Sequence, residues 1–128
     1  MPTTAAGPRD ARVGDLLPLD RVRARRIDAT ALLLPGTADT TAYTDALAAR
    51  ADDFAAWDGR VAERPPDGAE AHRLLILDRY GQVYAVHEAA TTEELPDPDA
   101  LEEWFRFLAT ACPECGVIDD PSRYGPTP

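Results

Sequence analysis

Polar positions give way after residue 27 to a run that ends Ala31-Leu32-Leu33-Leu34 and is stopped by Pro35-Gly36. A short apolar run closed by turn residues predicts a strand buried on both faces. Over residues 39–61, Tyr43, Leu47, Phe54, Trp57 and Val61 recur at helical spacings. They predict one amphipathic helix, with Asp39, Thr40 or Thr41 as its N-cap and Gly59 near its end. Asp45, Arg50, Asp52, Asp53 and Asp58 form its solvated face. Residues 63–71, with Pro65-Pro66-Asp67-Gly68, predict a loop. The next segment has the strongest local pattern: Leu74-Leu75-Ile76-Leu77 and Gln82-Val83-Tyr84-Ala85-Val86-His87 flank Asp78-Arg79-Tyr80-Gly81. That is an antiparallel hairpin, with Gly81 where positive φ is needed. Residues 100–111 place Leu101, Trp104, Phe105 and Leu108 on one helical stripe, behind Asp97 or Asp99 as cap. Trp104, Phe105 and Phe107 cannot all share that stripe, so an exposed aromatic is expected on the last helix. The order strand, helix, hairpin, helix predicts a mixed α/β sandwich.

The chain has 128 residues, with 23 acidic against 13 basic side chains and a net charge of −10. This length suits one domain: residues 13–118, between a flexible N-terminal segment 1–12 and a flexible tail 119–128. No apolar run reaches the ~20 residues that span a bilayer, and no basic start leads into an apolar leader. A cytoplasmic protein without membrane business is therefore expected. The acidic balance argues against nucleic acid, whose binding relies on clustered cations. Every basic residue is Arg, and Asn is absent, as codon bias in a GC-rich genome would produce. Arg21, Arg23, Arg25 and Arg26 alternate in part with Val22 and Ala24. They read as a charged edge strand that resists pairing, or as a contact for an anionic ligand or partner.

Val13-Gly14-Asp15-Leu16-Leu17-Pro18 is similar to the Val-Gly-Asp-x-x-Pro opening of peroxiredoxin-type proteins. The apolar strand ending at Pro35 and the hairpin His72-Arg73-Leu74-Leu75-Ile76-Leu77-Asp78-Arg79-Tyr80-Gly81-Gln82-Val83 match further elements of the same group. In element order, from Val13 to Ala111, the chain resembles the thioredoxin-like superfamily, in its redoxin and peroxiredoxin branch. The resemblance implies a thioredoxin-like three-layer sandwich: a mixed central sheet with flanking helices. It also implies that the loop after the first central strand would be the active-site loop.

That loop departs from the family. Gly36-Thr37-Ala38-Asp39-Thr40-Thr41-Ala42-Tyr43 holds no cysteine, so the thiol chemistry of the family has no nucleophile there. His72 stands at the position where thioredoxins carry a cis-proline facing the active cysteines. Gly36, Thr37, Asp39, Thr40, Tyr43 and His72 therefore make up a degenerate active-site loop. Its polar groups at a helix start either bind a small anion or only cap the helix. His87, like His72, reads as a packed or rim histidine of a strand.

The two cysteines lie in Cys112-Pro113-Glu114-Cys115-Gly116, after the last helix. Three readings stand. The pair is a redox dithiol, although a helix C-terminus and Glu114 would disfavour the thiolate. It is half of a zinc or iron knuckle like those of rubredoxins and zinc ribbons, completed by a second chain or partner. Or it is a solvent-near pair, reduced in the cytosol or forming an occasional disulfide that clips the tail after the helix. Taken together, the residues lead to the expectation of a non-catalytic interaction or accessory module, with a protein partner or a homodimer and no cofactor. The alternatives are redox or metal chemistry at Cys112 and Cys115.

Overall fold

The structure is a computed structural model that describes residues 8–17 and 28–110. The strand predicted before Pro35 is β1, Ala29–Leu34, and all six of its residues are buried. It lies inside a four-stranded mixed sheet of order β2-β1-β3-β4. β3 is His72–Leu77 and β4 is Val83–Ala89. β3 runs antiparallel to β1, with Leu32 opposite Leu75, and β4 runs antiparallel to β3, with Leu75 opposite Val86. The predicted hairpin is therefore present. Its turn is held by the Asp78 carboxylate, which accepts hydrogen bonds from the backbone N–H groups of Tyr80 and Gln82, both at 2.9 Å. Gly81 takes a φ of 85°, which costs a glycine little. A bulge near Ile76 and Leu77 shifts the register, so Tyr84 joins Ala85 on the helix side.

The long helix predicted over residues 39–61 is corrected. Helix α1 spans Thr41–Ala49, a bend at Arg50 leads into α2, Ala51–Ala55, and the chain then turns back as β2, Gly59–Glu63. β2 pairs parallel with β1, from Ala29 opposite Gly59 to Leu33 opposite Glu63. Val61 is thus a strand residue. The reversal is made at Asp58, whose φ of 57° lies in the left-handed region, and by Gly59, whose missing side chain leaves room for a ring. A Cβ at Gly59 would lie 2.3 Å from the Phe105 side chain. Pairing with a strand already buried on both sides outweighs the local helical periodicity.

Helix α3, Pro98–Thr110, starts two residues earlier than its apolar stripe suggests. Asp97 is its cap, accepting a hydrogen bond from the Ala100 N–H at 2.8 Å. Leu101 and Phe105 are fully buried, and Phe105 meets Phe54 edge-on at 5.1 Å between ring centroids. The aromatic expected to be exposed is instead covered. Trp104 and Phe107 are half-buried and pack edge-on against Tyr84 and against each other. Arg50 fastens α3 to the α1–α2 bend, binding Asp53, Asp99 and Glu102.

The expected α/β architecture, a mixed sheet with helices, is present. Among the described residues, α1, α2 and α3 all contribute to one core, with Ala31, Leu33, Leu74 and Ile76 on the near face of the sheet. The far face, Leu32, Leu34, Leu75, Leu77 and Val83, is met by Ala11 and Leu17 of the N-terminal stretch. Residues 8–12 fall in the segment read as flexible, yet they are tied down. Pro8–Asp10 form a 3₁₀ turn, Ala11 is fully buried, and its carbonyl accepts a hydrogen bond from Arg73. Gly14 and Leu17 donate to the Val83 and Gly81 carbonyls, each at 2.8 Å. No helix among the described residues is long and apolar enough to cross a membrane.

Gly59→Ala is expected to cost about 3 kcal/mol by forcing a methyl group into Phe105. Gly68→Ala, with a φ of 85° but nothing within 4 Å of the added Cβ, is expected to cost about 1 kcal/mol. Urea unfolding followed by circular dichroism distinguishes the two, and equal losses would remove Phe105 as the reason for the glycine.

Candidate functional site

β1 is central and β3 runs against it, so the last residue of β1 and the first of β3 lie side by side. Leu34 is opposite Arg73, which places the loop after β1 against His72. The sequence-predicted loop and His72 are therefore brought together. The Gly36 N–H donates to His72 Nδ1 at 2.7 Å. The Thr37 N–H donates to the Glu70 carbonyl at 3.1 Å, and its hydroxyl reaches the same oxygen at 3.4 Å. Gly36 is needed for this approach, since a Cβ there would sit 2.2 Å from the Glu70 carbonyl oxygen. These contacts carry the β1–β3 pairing past the end of the sheet.

His72 is fully buried. Because Nδ1 accepts a backbone hydrogen bond, the neutral ring carries its hydrogen on Nε2. Nε2 is buried and has no hydrogen-bond partner among the described residues. The ring's accepting nitrogen is thus committed to the fold.

The remaining loop residues are engaged in a similar way. The Asp39 carboxylate accepts from the Thr41 N–H at 3.0 Å and from the Thr41 hydroxyl at 2.7 Å. These hydrogen bonds hold its carboxyl below the usual carboxylate range. Asp39 rather than Thr40 does the capping, since Thr40 makes no side-chain cap bond. A carboxylate of the chain itself thus occupies the anion position at the start of α1, which favours the capping reading over anion binding. Tyr43 is buried and donates its hydroxyl to the Pro96 carbonyl at 2.7 Å. Burial, with a smaller contribution from Asp97, pushes its phenol up to about 12. A phenol so held stays protonated and does not serve as a base near neutrality.

Two members of this junction were not found from the sequence. Arg9 reaches across the end of the sheet, donating to the Ala71 and Pro35 carbonyls at 2.9 Å each and to Leu34 at 3.3 Å. Its Nε and a terminal nitrogen hold the Asp67 carboxylate at 2.9 and 3.2 Å. This ion pair lowers the Asp67 pKa. A single Arg in a Pro- and Ala-rich start has no periodicity to mark it. The only hint was the charge of Asp67 in a loop that must be anchored somewhere.

Cys112 and Cys115 lie outside the described residues, as do Arg21, Arg23, Arg25 and Arg26. Among the described residues, no group of three or more His, Cys, Asp or Glu side chains is placed to hold a metal ion. His87 stands opposite Leu74 on the helix-facing side of the hairpin. Burial lowers its pKa from the ordinary value of 6.5.

His72→Leu removes the acceptor of the Gly36 N–H and is expected to cost about 1–3 kcal/mol, while His72→Asn, which retains a side-chain acceptor, should recover part of it. Nitrogen-15 NMR of the wild-type ring should show the Nε2–H tautomer, and an Nδ1–H tautomer would contradict the hydrogen bond. For His87 the folded pKa lies below the unfolded one, so the unfolded chain takes up more protons. Its contribution to stability is complete above about pH 6.5 and declines as the pH falls toward the folded value. His87→Gln should flatten that slope in urea midpoints measured across the range.

No protein-family model, curated protein or solved structure matches the chain.

Proposed function

We propose that this chain is a thioredoxin-like interaction module of the redoxin type whose former active-site loop now serves the fold. The observation that carries this reading is the state of the loop after β1. Its polar groups are spent on one another: Asp39 on Thr41, Gly36 on His72, and Thr37 on Glu70. A catalytic loop needs a group whose reactive atom is held ready for a substrate, and no thiol, free base or activated hydroxyl stands among these residues. The sequence of β1, helix, β2, the β3–β4 hairpin and α3 around a mixed sheet supports the thioredoxin-like assignment, as does the contact between His72 and the loop. Such a scaffold acts by docking, either on a protein partner or on a second copy, in a cytoplasmic setting where Cys112 and Cys115 stay reduced.

The reading is tested by turnover and by mass. The wild-type protein should reduce no disulfide substrate and consume no peroxide above background in the presence of a thiol donor. The Cys112→Ser, Cys115→Ser double variant should behave identically. Turnover that the double variant loses would establish the redox alternative in its place, and stoichiometric zinc or iron would establish the knuckle. Light scattering of the purified protein, with affinity capture from its native host, should give a dimer or a stoichiometric complex. A monomer that captures no stoichiometric partner would count against the docking role.

A further inference from the structure

The chain contains two Asp-Gly bonds, Asp58-Gly59 and Asp67-Gly68. Asp-Gly is the sequence in which the following backbone nitrogen most readily attacks the aspartyl side chain, because glycine adds no side chain to hinder the approach. The structure sets the two bonds in opposite surroundings. At Asp58-Gly59 the glycine begins β2, is buried, and lies beneath the Phe105 ring. Its peptide plane cannot swing toward the Asp58 carboxyl without displacing a fully buried side chain. At Asp67-Gly68 both residues sit in the exposed loop between β2 and β3. Gly68 has a φ of 85° and open space around its α-carbon. No buried side chain stands against the peptide as Phe105 does at Gly59.

The carboxylate of the second bond is restrained, by Arg9 through both oxygens and by one backbone N–H. Both Asp67 carboxylate oxygens are held by Arg9, Oδ2 at 2.9 Å and Oδ1 at 3.2 Å, and Oδ1 also accepts from the Ala69 N–H at 3.1 Å. Ring closure needs the carboxyl to turn its carbon toward the Gly68 nitrogen and to lose one oxygen as water. A carboxylate gripped by a guanidinium through both oxygens is poorly placed for either.

We propose that Asp67-Gly68 is a site of spontaneous isoaspartate formation and that Arg9 is the latch that restrains it. In the reaction the Asp67 carboxyl first takes up a proton from water; the Gly68 nitrogen then bonds to Asp67 Cγ, the Cγ–OH bond breaks, and the hydroxyl leaves as water with the proton given up by the nitrogen. The succinimide then takes up one water. Opening at the side-chain carbonyl restores aspartate, and opening at the backbone carbonyl leaves isoaspartate, with the main chain running through Cβ. No oxidant or other co-reactant is required. The product has its free carboxylate on a different carbon and one more carbon in the backbone, so it no longer fits the fork of Arg9. The modification therefore removes the ion pair that slowed it, and it loosens the loop beside Gly36 and His72. The inference is independent of the docking role, since it concerns the chemistry of the chain itself.

The test is prolonged incubation of the full-length protein at neutral pH and physiological temperature. Peptide mass spectrometry with electron-based fragmentation then locates isoaspartate, and enzymatic methylation of isoaspartyl groups counts it. Isoaspartate is expected at Asp67 and not at Asp58 in the folded wild type. Arg9→Ala should raise the rate at Asp67 several-fold, Arg9→Lys should fall between, and Gly68→Ala should suppress it. In urea both Asp-Gly bonds should react at similar rates, showing that the fold makes the difference. Circular dichroism of each variant separates loss of the latch from loss of the fold. If Arg9→Ala remains folded and Asp67 reacts no faster, or if Asp58 reacts as fast as Asp67 in the native protein, the proposal fails.

Discussion

The described residues are arranged around a strand that has no exposed side. β1 is buried at all six positions and paired along both edges, with β2 on one and β3 on the other. Each fully buried leucine contributes roughly 1.5–3 kcal/mol, but only if something apolar covers it from above and below. The helices meet this demand on one face and the short stretch from Ala11 to Leu17 contributes on the other. The same burial makes the ends of β1 exacting, because backbone groups leaving the sheet must still be paired. At its C-terminal end that demand accounts for the Gly36–His72 contact, the Thr37–Glu70 bond and the carbonyls taken by Arg9.

The hairpin, β1 and α3 were legible because their signals are local: alternation, an uninterrupted apolar run, a turn tetrapeptide and a capped stripe. β2 was not, although it is made of ordinary residues. Trp57 and Val61 are four apart, which suits a helix, and only the conformation of Asp58 and the space under Phe105 reveal the reversal. Both are consequences of tertiary contact and leave no periodic trace. The candidate site divides in the same way. Its loop and His72 could be grouped only through the resemblance to thioredoxin-like proteins, and Arg9 could not, because its partners are mainly backbone carbonyls, and carbonyls carry no sequence identity. The absence of an exposed aromatic on α3 has a similar cause. The bulge near Leu77 turns Tyr84 toward the helix, and Tyr84 then covers Trp104 and Phe107.

The charge of −10 acquires a structural meaning at the arginines. Arg50 gathers Asp53, Asp99 and Glu102 where α1, α2 and α3 meet. Arg73 joins Glu88 across the hairpin and also reaches the Ala11 carbonyl. Arg9 binds three carbonyls and a carboxylate. Each acts as a cross-link between segments distant in the chain, a task that suits a planar fork of donors better than the single ammonium of lysine. In a chain with an excess of carboxylates, these three cations each neutralise or bind several groups at once, which counters the repulsion between acidic side chains.

Arg9 also sets an order of events. The carbonyl of Ala71 and the carboxylate of Asp67 that it binds are made some sixty residues after it. The stretch from Gly14 to Leu17 must wait longer still, for Gly81 and Val83. During synthesis, residues 11–17 therefore cannot cover the far face of the sheet until the hairpin has emerged. Residues 9–17 are thus made before β1 and find their places only once the hairpin follows, and until then the far-face leucines of β1 lack that cover and are open to misassembly.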